Sequence, residues 1–242
     1  DAPTKVKEIN NQVIAEDTAF NFQVPANTFS DVDVGDTLTY RAVLFSQSGS
    51  DLPSWLSFDP SSRTFNGTPG NSDVGTITIL VDAHDGSEGA HAKFNITVTN
   101  TNDAPIRLKE IINKTVAEDT PFNFQFAADT FSDIDTDDTL TYSATLSSGS
   151  ILPSWLSFNA GTRTFSGTPR NNDVGTISVK VTAKDGANAS VSETFNLTVT
   201  NVNDTPTITS TAVTSVGEND TYTYTFTATD VDADDNLTLS AP

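Results

Sequence analysis

The chain has 242 residues, room for one to three domains of roughly 100–200 residues each, and 32 acids against 12 bases give it a formal charge of −20. This balance excludes the basic footprint that nucleic acid requires and disfavours an anionic membrane surface. The lack of cysteine removes disulfides, thiolate metal sites and thiol nucleophiles, and no run of about 18 apolar residues offers membrane insertion in this segment.

Asp1-Ala2-Pro3 has the look of a closing linker, and with no methionine in the chain it is expected to be a piece of a longer array. After N-Q-V-I-A-E-D-T (11–18), Phe20, Phe22 and Val24 alternate with polar residues, the period-2 signature of a strand with one buried face. D-V-D-V-G-D-T-L-T-Y (31–40) carries a turn at Gly35-Asp36 and then a strand through Leu38 and Tyr40. L-P-S-W-L-S-F-D (52–59) and R-T-F-N-G-T-P (63–69) read as two short strands around Asp59-Pro60. N-S-D-V-G-T-I (71–77) leads into the alternation of Ile77, Ile79, Val81 and Ala83, followed by an Asp85-Gly86 turn and a last strand through Phe94, Ile96 and Val98. T-N-T-N-D-A-P (99–105) closes the segment.

The whole pattern then repeats. N-K-T-V-A-E-D-T-P-F-N-F-Q-F (113–126), D-I-D-T-D-D-T-L-T-Y (133–142), L-P-S-W-L-S-F-N (152–159), R-T-F-S-G-T-P (163–169), N-N-D-V-G-T-I (171–177) and T-N-V-N-D-T-P (200–206) restate it in order. A third copy opens with Glu218, D-V-D (230–232) and N-L-T-L (236–239). The period, about 100 residues, is too long for a solenoid unit of about 20–50 and suits a whole small domain. The expected organisation is repeat 1 over 1–103, repeat 2 over 104–204 and the start of a third over 205–242. With about seven short strands per repeat and no helical spacing, the predicted class is all-β, as tandem immunoglobulin-like sandwiches. Residues 207–242 hold too few strands to cover their own apolar side chains, so they are expected to be either poorly ordered or completed by another molecule, with Tyr222, Tyr224, Phe226 and Leu237 otherwise bare.

Of the 32 acids, 25 are Asp and 7 are Glu. Asp competes for backbone hydrogen bonds and favours turns, so the excess charge is predicted at loops and linkers. It falls into recurring clusters: Glu16-Asp17, Glu118-Asp119 and Glu218; the D-x-D pairs Asp31/Asp33, Asp133/Asp135 and Asp230/Asp232; the junctions Asn100, Asn102, Asp103 and Asn201, Asn203, Asp204; and the single acids Asp73/Asp173 and Asp85/Asp185. Closely packed carboxylates repel one another. Calcium, which takes six to eight oxygens from Asp, Glu, Asn and carbonyl groups, relieves that repulsion, and no cysteine is present to favour zinc. On an extended segment the two acids of D-x-D would share one face about 6.6 Å apart.

The motifs V-x-E-[DN], D-x-D-x-G-[DN]-x-L-x-Y, V-x-A-x-D-G and V-T-N-x-N-D-x-P resemble cadherin repeats, and L-P-x-W-L-x-F with R-T-F-x-G-T-P is similar to the dystroglycan-type subclass of bacterial surface and secreted proteins. The resemblance implies calcium between consecutive domains. One shell would draw on Glu16, Asp73, Asn100, Asn102, Asp103, Asp133, Asp135 and Asp185. A second would draw on Glu118, Asp173, Asn201, Asn203, Asp204, Asp230 and Asp232, and Asp31, Asp33 and Asp85 with Asp1 would form a half-shell. Asp73-Val74-Gly75 and Asp173-Val174-Gly175 stand where cadherins carry D-R-E, and each linker is one residue and one charge poorer, which implies one or two ions per junction instead of three.

The resemblance thus implies an extracellular, cell-surface adhesion module with calcium as its cofactor, whose partner is another surface protein or a polysaccharide, with homophilic pairing open. Two alternatives stand beside it: a carbohydrate-binding module of a secreted polysaccharide-degrading system, and a passive spacer. Trp55 and Trp155 could serve the carbohydrate reading as stacking platforms, but their Leu and Phe flanks favour the core. His84 and His91 have no counterpart in repeat 2, and no nucleophile elbow, P-loop or zinc-protease motif occurs. No enzymatic activity is expected.

Overall fold

The computed structural model describes residues 1–33, 35, 37–45, 50–232 and 236–240. The chain forms two compact units, one of residues 1–103 with 134–136 and one of residues 104–133 with 137–242. Asp36, half of the expected Gly35-Asp36 turn, lies outside the described residues.

The first unit runs β1 (Thr4–Lys5), β2 (Gln12–Ala15), β3 (Phe20–Gln23), β4 (Phe29–Ser30), β5 (Thr39–Leu44), β6 (Leu56–Asp59), β7 (Thr64–Gly67), a single 3-10 turn at Asn71–Asp73, β8 (Gly75–His84) and β9 (Gly89–Thr99). Strands β2-β9-β8-β5 form one sheet and β3-β7-β6 another, with β1 and β4 paired beside them. The first-to-last pairing of β2 with β9 is parallel, and the remaining pairings are antiparallel. The second unit repeats this as β10 (Ile106–Arg107), β11 (Lys114–Ala117), β12 (Phe122–Gln125), β13 (Phe131–Ser132), β14 (Thr141–Leu146), β15 (Leu156–Asn159), β16 (Thr164–Gly167), a 3-10 turn at Asn171–Asp173, β17 (Gly175–Lys184) and β18 (Ser190–Thr200). The alternation seen in the sequence thus marks the long strands correctly. The two-residue pairs β1/β4 and β10/β13 were missed because two residues are too few to display a period.

The inner faces carry the alternating apolar set. Phe20, Leu56, Phe65, Ile79, Val81, Phe94 and Ile96 form the first core, and Phe122, Leu156, Phe165, Val179, Val181, Phe195 and Leu197 the second. Trp55 and Trp155 pack against these cores, Trp55 meeting Phe20 edge-on at 6.2 Å between ring centroids. Both rings are half-buried against the cores, as their Leu and Phe flanks favoured. Gly67 is obligatory beside Trp55: a Cβ there would stand 1.9 Å from the Trp55 carbonyl oxygen, and one at Gly167 would stand 1.8 Å from that of Trp155.

Residues 207–240 contribute one short antiparallel pair, β19 (Thr207–Ile208) with β20 (Ala228–Thr229). As expected, Tyr222, Phe226 and Leu237 are exposed. Tyr224 differs: it is half-buried, and its hydroxyl lies 2.6 Å from that of Ser210.

Charge is segregated as the Asp-to-Glu ratio predicted. Among the described strands only Asp59, Asp82 and Glu193 are acidic. Glu193 is held by the Arg107 guanidinium at 2.9 Å.

Candidate metal centres

The segment A-E-D-T places its two acids oppositely because Asp17 and Asp119 adopt left-handed backbone angles, φ 56° and 55°, a conformation Asp tolerates better than most residues. The Asp17 N–H donates to the Pro69 carbonyl at 2.7 Å and that of Asp119 to Pro169 at 2.8 Å. The turn leaves Asp17 and Asp119 exposed and sends Glu16 and Glu118 inside, each 1% exposed.

In the second unit, Glu118 Oε1 accepts the Val202 N–H at 2.7 Å, while its Oε2 is buried with no hydrogen-bond partner among the described residues. Two residues on, the Asp204 N–H donates to Asp232 Oδ2 at 2.6 Å, and Asp204 Oδ2 accepts from the Asn171 side chain at 2.6 Å. The Asp232 N–H donates to Asp230 Oδ1 at 3.0 Å. Asp232 is 4% exposed, and Asp232 Oδ1 and Asp230 Oδ2 are likewise buried without partners. Glu118, Asn171, Asp204, Asp230 and Asp232 are thus tied to one linker.

The first unit repeats these bonds. Glu16 Oε1 accepts the Thr101 N–H at 2.7 Å and Oε2 has no hydrogen-bond partner among the described residues. Asp103 Oδ2 accepts from Asn71 at 2.5 Å, and the Asp103 N–H donates to Asp135 Oδ2 at 2.8 Å. The third occurrence is at Asp33, whose Oδ2 accepts from the Asp1 ammonium, and the Asp33 N–H donates to Asp31 Oδ1 at 2.9 Å. Asp33 raises the ammonium pKa by this hydrogen bond and by its charge. Asp85 sits in a turn whose Glu88 and Ser87 N–H groups lower its pKa.

The D-x-D segments are not extended. The bond from the second Asp N–H to the first carboxylate at Asp31/Asp33 and Asp230/Asp232 curls each into a side-chain-closed turn. The effect shows within residues 133–138, where one carboxylate oxygen each of Asp133, Asp135 and Asp138 lies within 4.8 Å of the others. The expected spacing of about 6.6 Å along the chain belongs to an extended segment, which these turns are not. Asp138 was not foreseen as a member. Asp185, also foreseen, is 4% exposed, and its N–H donates to the Ala189 carbonyl.

Other foreseen residues do different local work. Asp73 Oδ2 accepts the Gly70 N–H at 3.0 Å and Asp173 Oδ2 the Arg170 N–H at 2.9 Å, closing their 3-10 turns. Asn102 and Asn203 donate to the carbonyls of Asp103 and Asp204. Asn100 and Asn201 are exposed. Asn71 and Asn171, which open those turns and reach the linker Asp, were not singled out; their recurrence in N-x-D-V-G was the available signal.

The donor set is all oxygen, and none of the described ion pairs joins Glu16, Glu118, Asp230 or Asp232, each with a buried carboxylate oxygen, to a Lys or Arg. Burying unpaired carboxylates is costly, and a hard divalent cation answers both features. The residues therefore fit calcium.

Comparison with known proteins agrees with this architecture. The family model described as "Putative Ig domain" matches residues 2–101 and 104–200. Among solved structures, human CDH23 EC21-23 is similar at TM-score 0.57 and 18% identity, covering 93% of this chain and 78% of that one. Protocadherin Gamma B2 extracellular cadherin domains 1-5 are similar at 0.54 and 18%, covering 96% and 47%. A curated Saccharomyces cerevisiae protein, "Axial budding pattern protein 2", is 29% identical over 173 residues, which are 62% of this chain and 20% of the relative. The matched region thus spans a fifth of the relative's length.

Proposed function

This chain belongs to the Putative Ig domain family as a tandem of cadherin-like sandwiches, and on that premise we propose that it is a calcium-dependent, extracellular module of a cell-surface adhesion protein, with calcium held at its linkers. One observation carries the reading: Glu118 Oε2 and Asp232 Oδ1 are buried carboxylate oxygens without hydrogen-bond partners among the described residues, on residues both bonded to the 202–204 linker. Bound calcium would supply positive charge to these oxygens. Glu118 anchors the linker through Val202, Asp232 anchors it through Asp204, and Asn171 orients the Asp204 carboxylate. Glu16, Asn71, Asp103 and Asp135 do the same for the first linker.

Because calcium binds the ordered linker better than a loose one, it shifts the population toward order. At a free concentration one hundred times Kd this is worth about 2.7 kcal/mol per site. Calorimetric titration of the metal-free chain tests the reading. Saturable calcium binding that is lost in the Glu118→Gln, Asp232→Asn double variant at the second linker supports it; no heat and no rise in melting temperature would overturn it. Sedimentation with and without calcium separates adhesion, which predicts calcium-dependent self-association or partner capture, from a passive spacer.

A further inference from the structure

The outer face of the β2-β9-β8-β5 sheet has a chemistry its counterpart in the second unit lacks. Register sets the rows of this face: Thr39–His84–Gly89, Arg41–Asp82–His91 and Val43–Leu80–Lys93, with Phe45 one step beyond Val43. Alternation places these side chains opposite the buried Ile79, Val81 and Ala83. Arg41, His84, His91 and Lys93 are exposed. Among the described residues of these rows, Asp82 is the one acid, and its Oδ1 lies 2.6 Å from His91 Nδ1. Phe45 is 51% exposed and holds the Lys93 ammonium 3.2 Å from its ring centroid. Beside it Leu80 is half-buried and Val43, 5% exposed, is covered. The corresponding rows of the second unit are Thr141–Lys184–Ser190, Ser143–Thr182–Ser192 and Thr145–Lys180–Thr194, with no aromatic, His or Arg.

We propose that this face of the first unit binds an acidic polysaccharide, with Arg41 and Lys93 meeting its anionic groups and Phe45 packing on the apolar face of a sugar ring. On a chain of net charge −20 a face whose fixed charges are Arg41 and Lys93 against Asp82 alone is complementary to an anion, and the exposed Phe45 ring is what sets it apart from the second unit's Lys180 and Lys184 face. Neighbouring strands stand about 4.8 Å apart and residues i and i+2 about 6.8 Å apart, so the backbone positions of Arg41 and Lys93, two strands across and one step along, stand about 12 Å apart, a span that successive units of a linear polymer can bridge. The exposed Phe45 ring suits a pyranose, which offers an apolar C–H face. The inference does not depend on calcium.

The test is affinity electrophoresis of the full chain in EDTA, through gels containing polygalacturonate, dextran sulfate, neutral dextran or polyglutamate. Retardation by polygalacturonate, dextran sulfate or both is expected, and which gel retards it separates carboxylate-bearing from sulfate-bearing sugars. The Arg41→Gln, Lys93→Gln variant should weaken binding at least tenfold and Phe45→Ala several-fold, at unchanged melting temperature. Lys180→Gln, Lys184→Gln in the second unit should leave it unchanged. No retardation of the wild-type chain, equal retardation by neutral dextran or by polyglutamate, or full retention in the Arg41/Lys93 variant would overturn the proposal. Because EDTA removes calcium, failure here is distinguishable from failure of the calcium reading.

Discussion

A carboxylate that is 1% exposed, with one oxygen bonded and the other bare, gives Glu118 an unusual mutational signature. Glu118→Gln keeps an acceptor for the Val202 N–H and removes the buried charge. Its metal-free melting temperature is therefore expected to stay level or rise, while calcium affinity falls at least tenfold; paired thermal melts with and without calcium check both. A purely packing role would lower stability in both conditions. Steric necessity of a different kind rules at Gly67, where a Cβ would overlap the Trp55 carbonyl oxygen. Gly67→Ala should destabilise by about 1–3 kcal/mol, the range for overpacking, whereas at Gly70 an added Cβ meets nothing within 4 Å. Urea denaturation of the two variants provides the comparison.

At the scale of elements, the hairpin between β6 and β7 shows how a turn sets a titration. Asp59 accepts from the hydroxyls of Ser61 and Ser62, both at 2.7 Å, and from the Ser61 N–H at 2.9 Å. These bonds favour the ionised form and lower its pKa from 3.8 to about 2. A folded pKa below the unfolded value means the contribution to stability is present above pH 3.8 and is lost as pH falls through about 2. Removing the hydroxyls with Ser61→Ala and Ser62→Ala should return the Asp59 pKa toward 3.8, as read by an NMR titration of its carboxyl carbon. The left-handed turn at Asp17 makes a second case. Asp17→Val should cost about 1–2 kcal/mol, the left-handed penalty for an L-residue, and Asp17→Gly should not, with chemical denaturation as the measure.

At the scale of the whole molecule, a charge of −20 is carried mostly by loops and linkers while the strands stay nearly free of acid. Screening therefore acts where the acids collect, and on the proposed function so does calcium. Calcium should raise the melting temperature and slow proteolysis within residues 99–105 and 200–206, the Asn- and Asp-rich linkers. Sodium chloride at matched ionic strength should give the smaller effect, since it screens exposed charges and barely reaches buried oxygens. Equal protection by both salts would show that general screening, not a bound ion, holds the linkers.

The sequence by itself determined the two-fold repetition, the all-β class and the inner faces, because a pleated strand alternates side chains with a local period of 2 that survives without any knowledge of partners. It also named Glu16, Glu118, Asp103, Asp204 and the D-x-D pairs, whose recurrence at domain ends is visible along the chain. Tertiary structure alone decided the rest. Asn71 meets Asp103 and Asn171 meets Asp204 across 32 and 33 residues, a juxtaposition set by how each sheet brings its 3-10 turn beside the linker. Asp138 joins Asp133 and Asp135 because their loop curls instead of extending. Arg41, His91 and Lys93 share a surface only once strand register is known. Each of these depends on contacts between residues far apart in sequence or on loop dihedrals, and neither leaves a periodic trace.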